Sequence, residues 1–376
     1  MPDFLPGLDL NRAYYFEAVR PILTARFPAL AYAAALIGYG SDVLRYDTPR
    51  STDHEWGPRL LLFVPDDTAP ELGAAIEDAL AAELPVEFRG YSTSFGPQDA
   101  LGVRLLVPGT PGHVAHHVDV WTLHAFTRME LGIAPDQPLH ARDWLVLPEQ
   151  KLLQVTAGAV FHDGLGTLTA LRERLAYYPR DAWLYLMASQ WMRIAQIEPF
   201  AGRTAEAGDE LGSRLVTASL VRDLMKLSFL QARRYAPYAK WFGTAFAGLP
   251  VAEALGPSLQ RALAASDTQG REEALCEAYV IAGEQHNALS ITPPLDTTTA
   301  HFYSRPYRVL NAGRFAEALA RRIEDDEVRG VMAAAGRIGA IDQISDTTDL
   351  LMRPDIFGRM RAVYTAGNGA PALPAR

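Results

Sequence analysis

Cysteine is almost absent from this chain, and long apolar runs are missing. A single cysteine, Cys276, excludes an internal disulfide framework. The first residues also lack the basic segment and apolar run of a secretory signal. Charged residues, proline and glycine interrupt every apolar stretch before it reaches the roughly 18 residues that a membrane-spanning helix needs. We therefore expect a cytoplasmic protein with no membrane partner.

An excess of positive charge is lacking as well. The net charge of −9 argues against a long nucleic acid as a partner, because binding many phosphates requires a surplus of lysine and arginine. A small anion in a local basic pocket is still compatible with this balance. Of 35 cationic residues only three are lysines, Lys151, Lys226 and Lys240. Arginine is used at nearly all other cationic positions. Each lysine therefore either marks a position that needs a compact ammonium, such as a phosphate contact, or occurs there by chance.

The hydrophobic pattern changes near residue 150. Before that point, helical and strand patterns alternate, whereas after it the pattern is helical with almost no strand signal. We predict helices over 10–26, 69–84, 180–197, 211–246, 271–287, 312–325 and 327–335, and strands over 31–37, 53–64, 86–89, 103–107 and 114–121. The predicted class is α+β: a mixed sheet with flanking helices in residues 1–150, followed by an all-helical domain in residues 151–376 that closes the substrate cleft.

The stretch from residue 38 to residue 59 has the residue types of a phosphate and metal site. Gly40 and Ser41 follow the first predicted strand, and such a turn offers backbone N–H groups and a hydroxyl to phosphate oxygens. If residues 53–55 are extended, Asp53 and Glu55 project from the same face. Paired carboxylates suit Mg²⁺, which takes oxygen ligands and completes its shell with water and substrate phosphates.

A third carboxylate, Asp119, lies between two valines in a segment with the pattern of a strand. A charge in such a segment is costly unless it is paired or bound to a metal. Two interpretations stay open. Asp119 either joins the other acids at a metal site, or it faces solvent on an edge strand or pairs with Arg104. The motif upstream favours the first interpretation.

Gly40 and Ser41, followed by Asp53, Glu55 and later Asp119, resemble the signature of the polymerase-beta-like nucleotidyltransferase superfamily. In that superfamily three carboxylates hold two Mg²⁺ ions for displacement at the α-phosphate of a nucleoside triphosphate. The resemblance implies that the three acids bind Mg²⁺, that the turn holds the phosphates, and that pyrophosphate leaves. The sequence departs from the usual pattern at Glu55, where an aspartate is commoner in the superfamily.

Further segments are similar to an uncharacterised, largely bacterial branch of this superfamily, a domain of unknown function: residues 51–59, 202–203, 208–213 and 235–243. The layout is similar to aminoglycoside and lincosamide nucleotidyltransferases, whose helical domain brings a lysine beside a tryptophan to the triphosphate of ATP. Lys240 and Trp241 resemble that pair. The implied acceptor is a hydroxyl of a small molecule. Transfer to a protein side chain and a catalytically idle nucleotide-binding scaffold stay open as alternatives.

Other residues of the helical region are candidates for the same site. Arg222, Lys226 and Arg233 share a predicted helix and form either a cationic stripe for the triphosphate or a solvated face. The general base is Asp119 or Glu210. Asp209 could serve as the base too, although helix capping explains it as well.

Three histidines, His113, His116 and His117, precede Asp119 and raise the alternative of zinc. Zinc needs three or four ligands, and no residue at a suitable spacing completes the set, so we do not favour it. His54 alternates with the two acids and should point to the opposite face of the strand.

Overall fold

The structure, a computed structural model, describes residues 3–68, 70–100 and 102–365. It divides into two compact units, which we describe separately. The first contains residues 1–137 and 151–176, and the second contains residues 138–150 and 177–376. Among the described residues, no helix combines the length and apolar composition that crossing a bilayer requires.

The first unit is built on a mixed four-stranded sheet. Its strands are β1 (Ala33–Leu36), β2 (Arg59–Val64), β7 (His117–Thr122) and β8 (Ala159–Asp163), in the order β7-β2-β1-β8. β2 and β7 run parallel, whereas β1 is antiparallel to both β2 and β8. Two short pairs add β3 (Glu87–Phe88) with β4 (Tyr91–Ser92), and β5 (Ser94–Phe95) with β6 (Leu106–Val107). The mixed sheet predicted from the sequence is confirmed.

Helices of the first unit pack on the sheet, with Phe126 of one of them against Phe63 of β2. They are α1 (Gly7–Tyr14), a π-helical segment (Tyr15–Val19), α2 (Arg20–Arg26), α3 (Pro70–Glu83), α4 (Leu123–Leu131), α6 (Glu149–Thr156), which begins in the second unit, and α7 (Thr167–Arg174). Leu60, Leu62 and Val118 belong to the core together with residues of α1 to α3. Because side chains alternate along a strand, Arg59 and Asp119 lie on the opposite face.

The domain boundary predicted at residue 150 differs from the division in the structure. Residues 151–176 join the first unit because β8 pairs with β1. β8 is only five residues long and lies between α6 and α7, so the helical pattern on both sides masked its strand signal. Residues 138–150, which we assigned to the sheet domain, join the second unit.

The second unit is mostly helical, as predicted. Its helices are α5 (Ala141–Val146), α8 (Arg180–Ile197), α9 (Phe200–Glu206), α10 (Glu210–Gln231), α11 (Ala239–Ala247), α12 (Ala252–Ala264), α13 (Thr268–Ala288), α14 (Gly313–Ala320), α15 (Asp326–Ala335), α16 (Ile341–Ile344), α17 (Thr348–Leu351) and α18 (Pro354–Phe357), followed by a 3₁₀ segment (Gly358–Tyr364). A short strand pair, β9 (Ala300–His301) and β10 (Arg308–Val309), means that the unit is not all-helical.

The single long helix predicted over residues 211–246 is wrong. α10 ends at Gln231, and α11 begins only at Ala239. Between them Arg233 adopts a left-handed backbone conformation with φ of 51°, and Pro237 has no N–H to donate to a helix. Arg233 is therefore not on the helix that carries Arg222 and Lys226.

Candidate functional site

The turn that follows β1 is fixed around Gly40. This residue has a φ of +126°, a conformation that glycine adopts without strain. A Cβ atom here would also overlap Oδ1 of Asp42 and Nη2 of Arg59. The neighbouring Ser41 is half-buried, and its carbonyl oxygen accepts a hydrogen bond of 2.8 Å from the N–H of Tyr46. The turn predicted at Gly40 and Ser41 is thus present and tightly packed.

A buried ion pair holds this turn against the sheet. Nη2 of Arg59 lies 2.8 Å from Oδ1 and 3.1 Å from Oδ2 of Asp42, and it also donates to the carbonyl of Tyr39 at 2.9 Å. Burial raises the pKa of Asp42, and the contact with Arg59 offsets part of that effect. The sequence analysis gave these two residues no role. The available signal was an arginine at the start of an otherwise apolar strand.

The strand predicted over residues 53–64 begins only at Arg59. Asp53 ends a 3₁₀ helix (Pro49–Asp53) that Thr48 caps, and Glu55 has a left-handed φ of 47°. The expectation that Asp53 and Glu55 project from one face of a strand is therefore wrong. Gly57, with a φ of 140°, and the following proline interrupt the extended pattern.

Side chains distant in sequence hold the segment between Asp53 and β2 in place. Oδ1 of Asn11 accepts from the N–H of Arg59 at 2.6 Å, and its Nδ2 donates to the carbonyl of Gly57 at 3.1 Å. Asp47 accepts from the indole N–H of Trp56 at 3.0 Å. The side chain of Asn11 thus provides hydrogen bonds to backbone groups that a neighbouring strand would otherwise satisfy. The segment can therefore follow an irregular path without leaving these groups unpaired.

Glu55 turns toward Tyr39. The Tyr39 hydroxyl donates to Oε2 of Glu55 at 3.2 Å, and the N–H of Arg104 donates to Oε1 at 2.6 Å. The backbone of Glu55 in turn donates to the carbonyl of Arg104 at 2.9 Å. A reciprocal contact with a separate loop thus fixes the position of this carboxylate.

Asp119 of β7 contributes negative charge to the surroundings of the same tyrosine. Its Cα lies opposite Leu61 of β2, its side chain is 43% exposed, and Oδ2 lies 3.3 Å from Nε2 of His117. Burial raises the pKa of Asp119, but hydrogen bonding to His117 and the nearby Arg104 outweigh it, so the net pKa is lowered. Asp119 is therefore ionised at neutral pH.

The electrostatics of Tyr39 connect the two carboxylates. Burial raises the pKa of its phenol to about 12; Arg59 opposes this shift, and the negative charges of Glu55 and Asp119 add to it. Two acids from separate segments therefore act on one side chain, next to Gly40. The alternative of a carboxylate that faces solvent on an edge strand also has support, since β7 is at the edge of the sheet and the side chain of Asp119 is 43% exposed.

Glu55 and Asp119 carry carboxylate oxygens, the type of ligand atom that Mg²⁺ prefers. The ion takes oxygen ligands, and one or two carboxylates with substrate phosphates complete its shell. Within the part of the chain that the structure describes, however, no three His, Cys, Asp or Glu side chains form a group that could hold a metal. Asp53 is 65% exposed and pairs with His54 at 2.9 Å. Of the three predicted Mg²⁺ ligands, Glu55 and Asp119 are therefore the two that interact with Tyr39, whereas Asp53 is directed to His54.

The histidines have separate roles. The ring of His116 lies 3.0 Å from the carbonyl of Glu77, whereas His117 is buried and contacts Asp119. His113 lies in a turn where its N–H donates to the carbonyl of Thr110. Over the described residues, the three rings form no group that could hold a metal ion.

Glu210, a candidate base, lies in the second unit at the start of α10 and is engaged by two arginines. Oε1 lies 2.9 Å from Nε of Arg214, and both carboxylate oxygens accept from the guanidinium of Arg271. Hydrogen bonding to Arg271, followed by that to Arg214, lowers its pKa. The neighbouring Asp209 is the N-cap of α10 and accepts from the N–H of Gly212 at 2.8 Å.

Two of the candidate phosphate-binding cations have partners within the second unit. Nη1 of Arg222 lies 2.7 Å from a carboxylate oxygen of Asp346, and Nζ of Lys226 donates to the carbonyl of Asp342. Burial lowers the pKa of Lys226. Lys240 is exposed, and its ammonium lies 5.1 Å from the centre of the Trp241 ring. The proximity of lysine and tryptophan expected from the sequence is therefore present.

Residues 144–242 match a family described as a domain of unknown function, DUF4037. No curated protein matches the chain. A solved structure titled as a nucleotidyltransferase-like protein from Exiguobacterium sibiricum 255-15 is 12% identical; the alignment covers 81% of this chain and 88% of that one, with a TM-score of 0.28. At this level of similarity, nothing about the activity of the present chain follows from that title.

Proposed function

We propose that this protein is a Mg²⁺-dependent nucleotidyltransferase. It transfers a nucleoside monophosphate, AMP from ATP, to a hydroxyl of a small-molecule acceptor and releases pyrophosphate. The observations that support the proposal are the hydrogen bond from the phenol of Tyr39, the residue before Gly40, to Glu55 and the effect of the Asp119 charge on the same phenol. Carboxylates from two segments and a glycine turn supply oxygen ligands for one Mg²⁺ ion and N–H donors for phosphate oxygens.

In this proposal Glu55 and Asp119 hold the magnesium ion, and the turn binds the triphosphate. The bound ion supplies positive charge to the phosphate oxygens. Backbone N–H groups at Gly40 and Ser41, with the Ser41 hydroxyl, donate to those oxygens. The buried pair of Asp42 and Arg59 keeps the turn in place. Asp53, which is exposed, is not needed for a site with two carboxylates.

The remaining roles follow from charge and position. Asp119 accepts the proton of the attacking hydroxyl in this proposal, since it is a partly exposed carboxylate in the same unit as the turn. Glu210 is a less suitable base because two arginines occupy its oxygens. Arg222 and Lys226 have partners within the second unit, Asp346 and Asp342, respectively, so neither is assigned to the triphosphate.

A specific observation also favours a second candidate, a nucleotide-binding scaffold without catalysis. Both oxygens of Glu55 already accept hydrogen bonds, from Tyr39 and from the N–H of Arg104. A carboxylate held in this way must exchange a protein donor for a cation before it can act as a ligand. If that exchange does not occur, the turn still binds phosphate, but no transfer follows.

The experiment combines radiolabelled ATP, Mg²⁺ and a panel of hydroxyl-bearing small molecules with the purified protein. Release of pyrophosphate that depends on one of these compounds supports the proposal, and it should be lost in Asp119→Asn and in Glu55→Gln. Asp78→Asn, at an exposed position on α3, is the matched control and should keep the activity. Label on the protein itself would indicate a protein acceptor instead. ATP binding with no transfer to any acceptor would support the scaffold.

A further inference from the structure

The end of α6 forms hydrogen bonds with both ends of the turn that follows β1, within the first unit. The carbonyl of Gln154 accepts from the N–H of Gly38 at 2.7 Å, and the N–H of Gly158 donates to the carbonyl of Val43 at 3.1 Å. Gly38 and Val43 flank the turn at Gly40. These two hydrogen bonds therefore fix where the turn begins and where it ends.

This exchange of partners depends on the backbone at Gly158. In a continuing helix, the N–H of residue 158 would donate to the carbonyl of Gln154, four positions earlier. Gly158 instead has a φ of +68°, a left-handed conformation that ends helices, and it donates to Val43. The carbonyl of Gln154 is thus available to Gly38. A Cβ atom at Gly158 would overlap the carbonyl oxygen of Leu36, so the helix end also packs directly on β1.

One side chain, Arg172 of α7, holds this helix end. Its Nη1 donates to the carbonyls of Val155 and Ala157, at 2.8 Å each, and its Nη2 donates to the carbonyl of Thr156 at 2.9 Å. The last carbonyls of a helix have no partner within the helix, and a cation beside them also complements the helix dipole. The planar guanidinium serves all three acceptors at once, which suits arginine better than lysine.

Arg172 does not contact the turn, and it acts on the turn through the backbone of residues 154–158. Without the guanidinium, three carbonyls at the end of α6 lose their donors, and an uncapped helix end frays. Gln154 and Gly158 lie on either side of these carbonyls, so fraying displaces both residues that hold the turn. A displacement of about 1 Å in a reactive site is enough to cost roughly a hundredfold in rate.

We propose that Arg172 is a positioning residue for the phosphate-binding turn. It holds residues 155–157 and, through the hydrogen bonds of Gln154 and Gly158, sets the position of the turn at Gly40. The effect on ATP rests on the function proposed above, whereas the effect on the turn itself requires no nucleotide.

The first test is hydrogen–deuterium exchange of the full chain without nucleotide, followed by mass spectrometry. In Arg172→Met, peptides that contain Gly38 or Gly158 should exchange at least about tenfold faster than in the wild type, because their N–H groups lose a fixed acceptor. Peptides of α3 should exchange at the wild-type rate. Arg172→Lys should give an intermediate rate, since an ammonium keeps the charge but not the planar fork. If Arg172→Met does not fold, Arg172→Lys decides alone.

Arg314→Met is the matched control. Arg314 also donates to three backbone carbonyls, those of Asp296, Leu310 and Asn311, but it belongs to the second unit. This variant should leave the exchange of the Gly38 peptide unchanged. The proposal is overturned if that peptide exchanges at the wild-type rate in both Arg172 variants, or if exchange rises equally throughout the first unit, which would indicate general destabilisation.

The second test is calorimetric titration of the same variants with ATP and Mg²⁺. Arg172→Met should bind roughly ten- to a hundredfold more weakly than the wild type, Arg172→Lys should recover part of the loss, and Arg314→Met should bind like the wild type. Wild-type affinity in Arg172→Met would overturn the proposal. If the wild type itself binds no ATP, the function proposed above fails, and the exchange of the Gly38 peptide alone decides whether Arg172 positions the turn.

Discussion

The hydroxyl of Tyr39 donates to Oε2 of Glu55 at 3.2 Å, which links the turn after β1 to a carboxylate sixteen positions later in the chain. Asp119 of β7 acts on the same phenol. The geometry depends on the buried pair of Asp42 and Arg59, which packs against Gly40.

Arg59→Met should strongly destabilise the first unit. The substitution leaves the carboxylate of Asp42, which is 1% exposed, without its cation, and breaking a buried pair from one side costs about 3–5 kcal/mol. Urea unfolding followed by tryptophan fluorescence measures the loss. Arg89→Met is the control because Arg89 and Glu17 form an exposed pair, for which less than about 1 kcal/mol is expected. Equal effects of the two substitutions would show that the buried pair does not support the turn.

Gly40→Ala should disrupt the turn directly. Alanine is strained at a φ of +126°, and its Cβ overlaps both members of the ion pair, so we expect a loss of at least about 2 kcal/mol. Gly73→Ala is the matched control within α3, where the added Cβ lies 3.9 Å from Val120. Because alanine is the better helix former, this variant should gain about 0.5–1 kcal/mol. Thermal unfolding of both variants separates the two cases, and a neutral Gly40→Ala would contradict the packing described here.

The stability of the second unit should fall as the pH rises from about 4.5 to about 7. Burial raises the pKa of Glu198 from 4.5 to about 7, so across this interval the folded state binds more protons than the unfolded state. The linkage relation then makes the stability decrease with pH, by on the order of 3 kcal/mol for this shift. Above pH 7 the contribution of Glu198 levels off.

Glu198→Gln isolates this contribution, because glutamine does not titrate. Burial also raises the pKa of Glu149 and Asp342, so these two groups contribute to the pH dependence of the unfolding free energy of the wild type. Their contribution is the same in the variant and cancels when the two proteins are compared. Unfolding free energies measured by urea denaturation from pH 4.5 to 8 should decline less steeply in the variant. Glu253→Gln, at an exposed position on α12, should follow the wild type. Parallel profiles for wild type and Glu198→Gln would refute the assignment.

The regular elements could be predicted wherever one local pattern decides the structure. β1 is a short apolar run that ends at a glycine turn, and α8 spans the predicted residues 180–197. The first helix continues through Pro21, which has no N–H to donate. A π-helical segment, Tyr15–Val19, lies directly before the α-helix that contains this proline. The α+β class followed from these patterns.

The predictions that are wrong concern segments whose structure depends on contacts with residues distant in the sequence. The path of residues 54–58 depends on Asn11 and Asp47, which no local pattern connects to it. β8 forms because β1 offers it an edge, not because its own five residues have a strong pattern. The same applies to the candidate site. The turn at Gly40 could be predicted, but the hydrogen bonds from Tyr39 and Arg104 that orient Glu55 are tertiary.

The most direct test of the central claim is calorimetric titration of the protein with ATP, with and without Mg²⁺. If Glu55 and Asp119 hold the ion beside the Gly40 turn, the wild type binds ATP in a Mg²⁺-dependent manner, and Asp119→Asn loses roughly ten- to a hundredfold in affinity, in line with the loss of one charged contact. Asp78→Asn should bind like the wild type. Binding that is equally tight without Mg²⁺ or in Asp119→Asn, or no binding at all, would contradict the account.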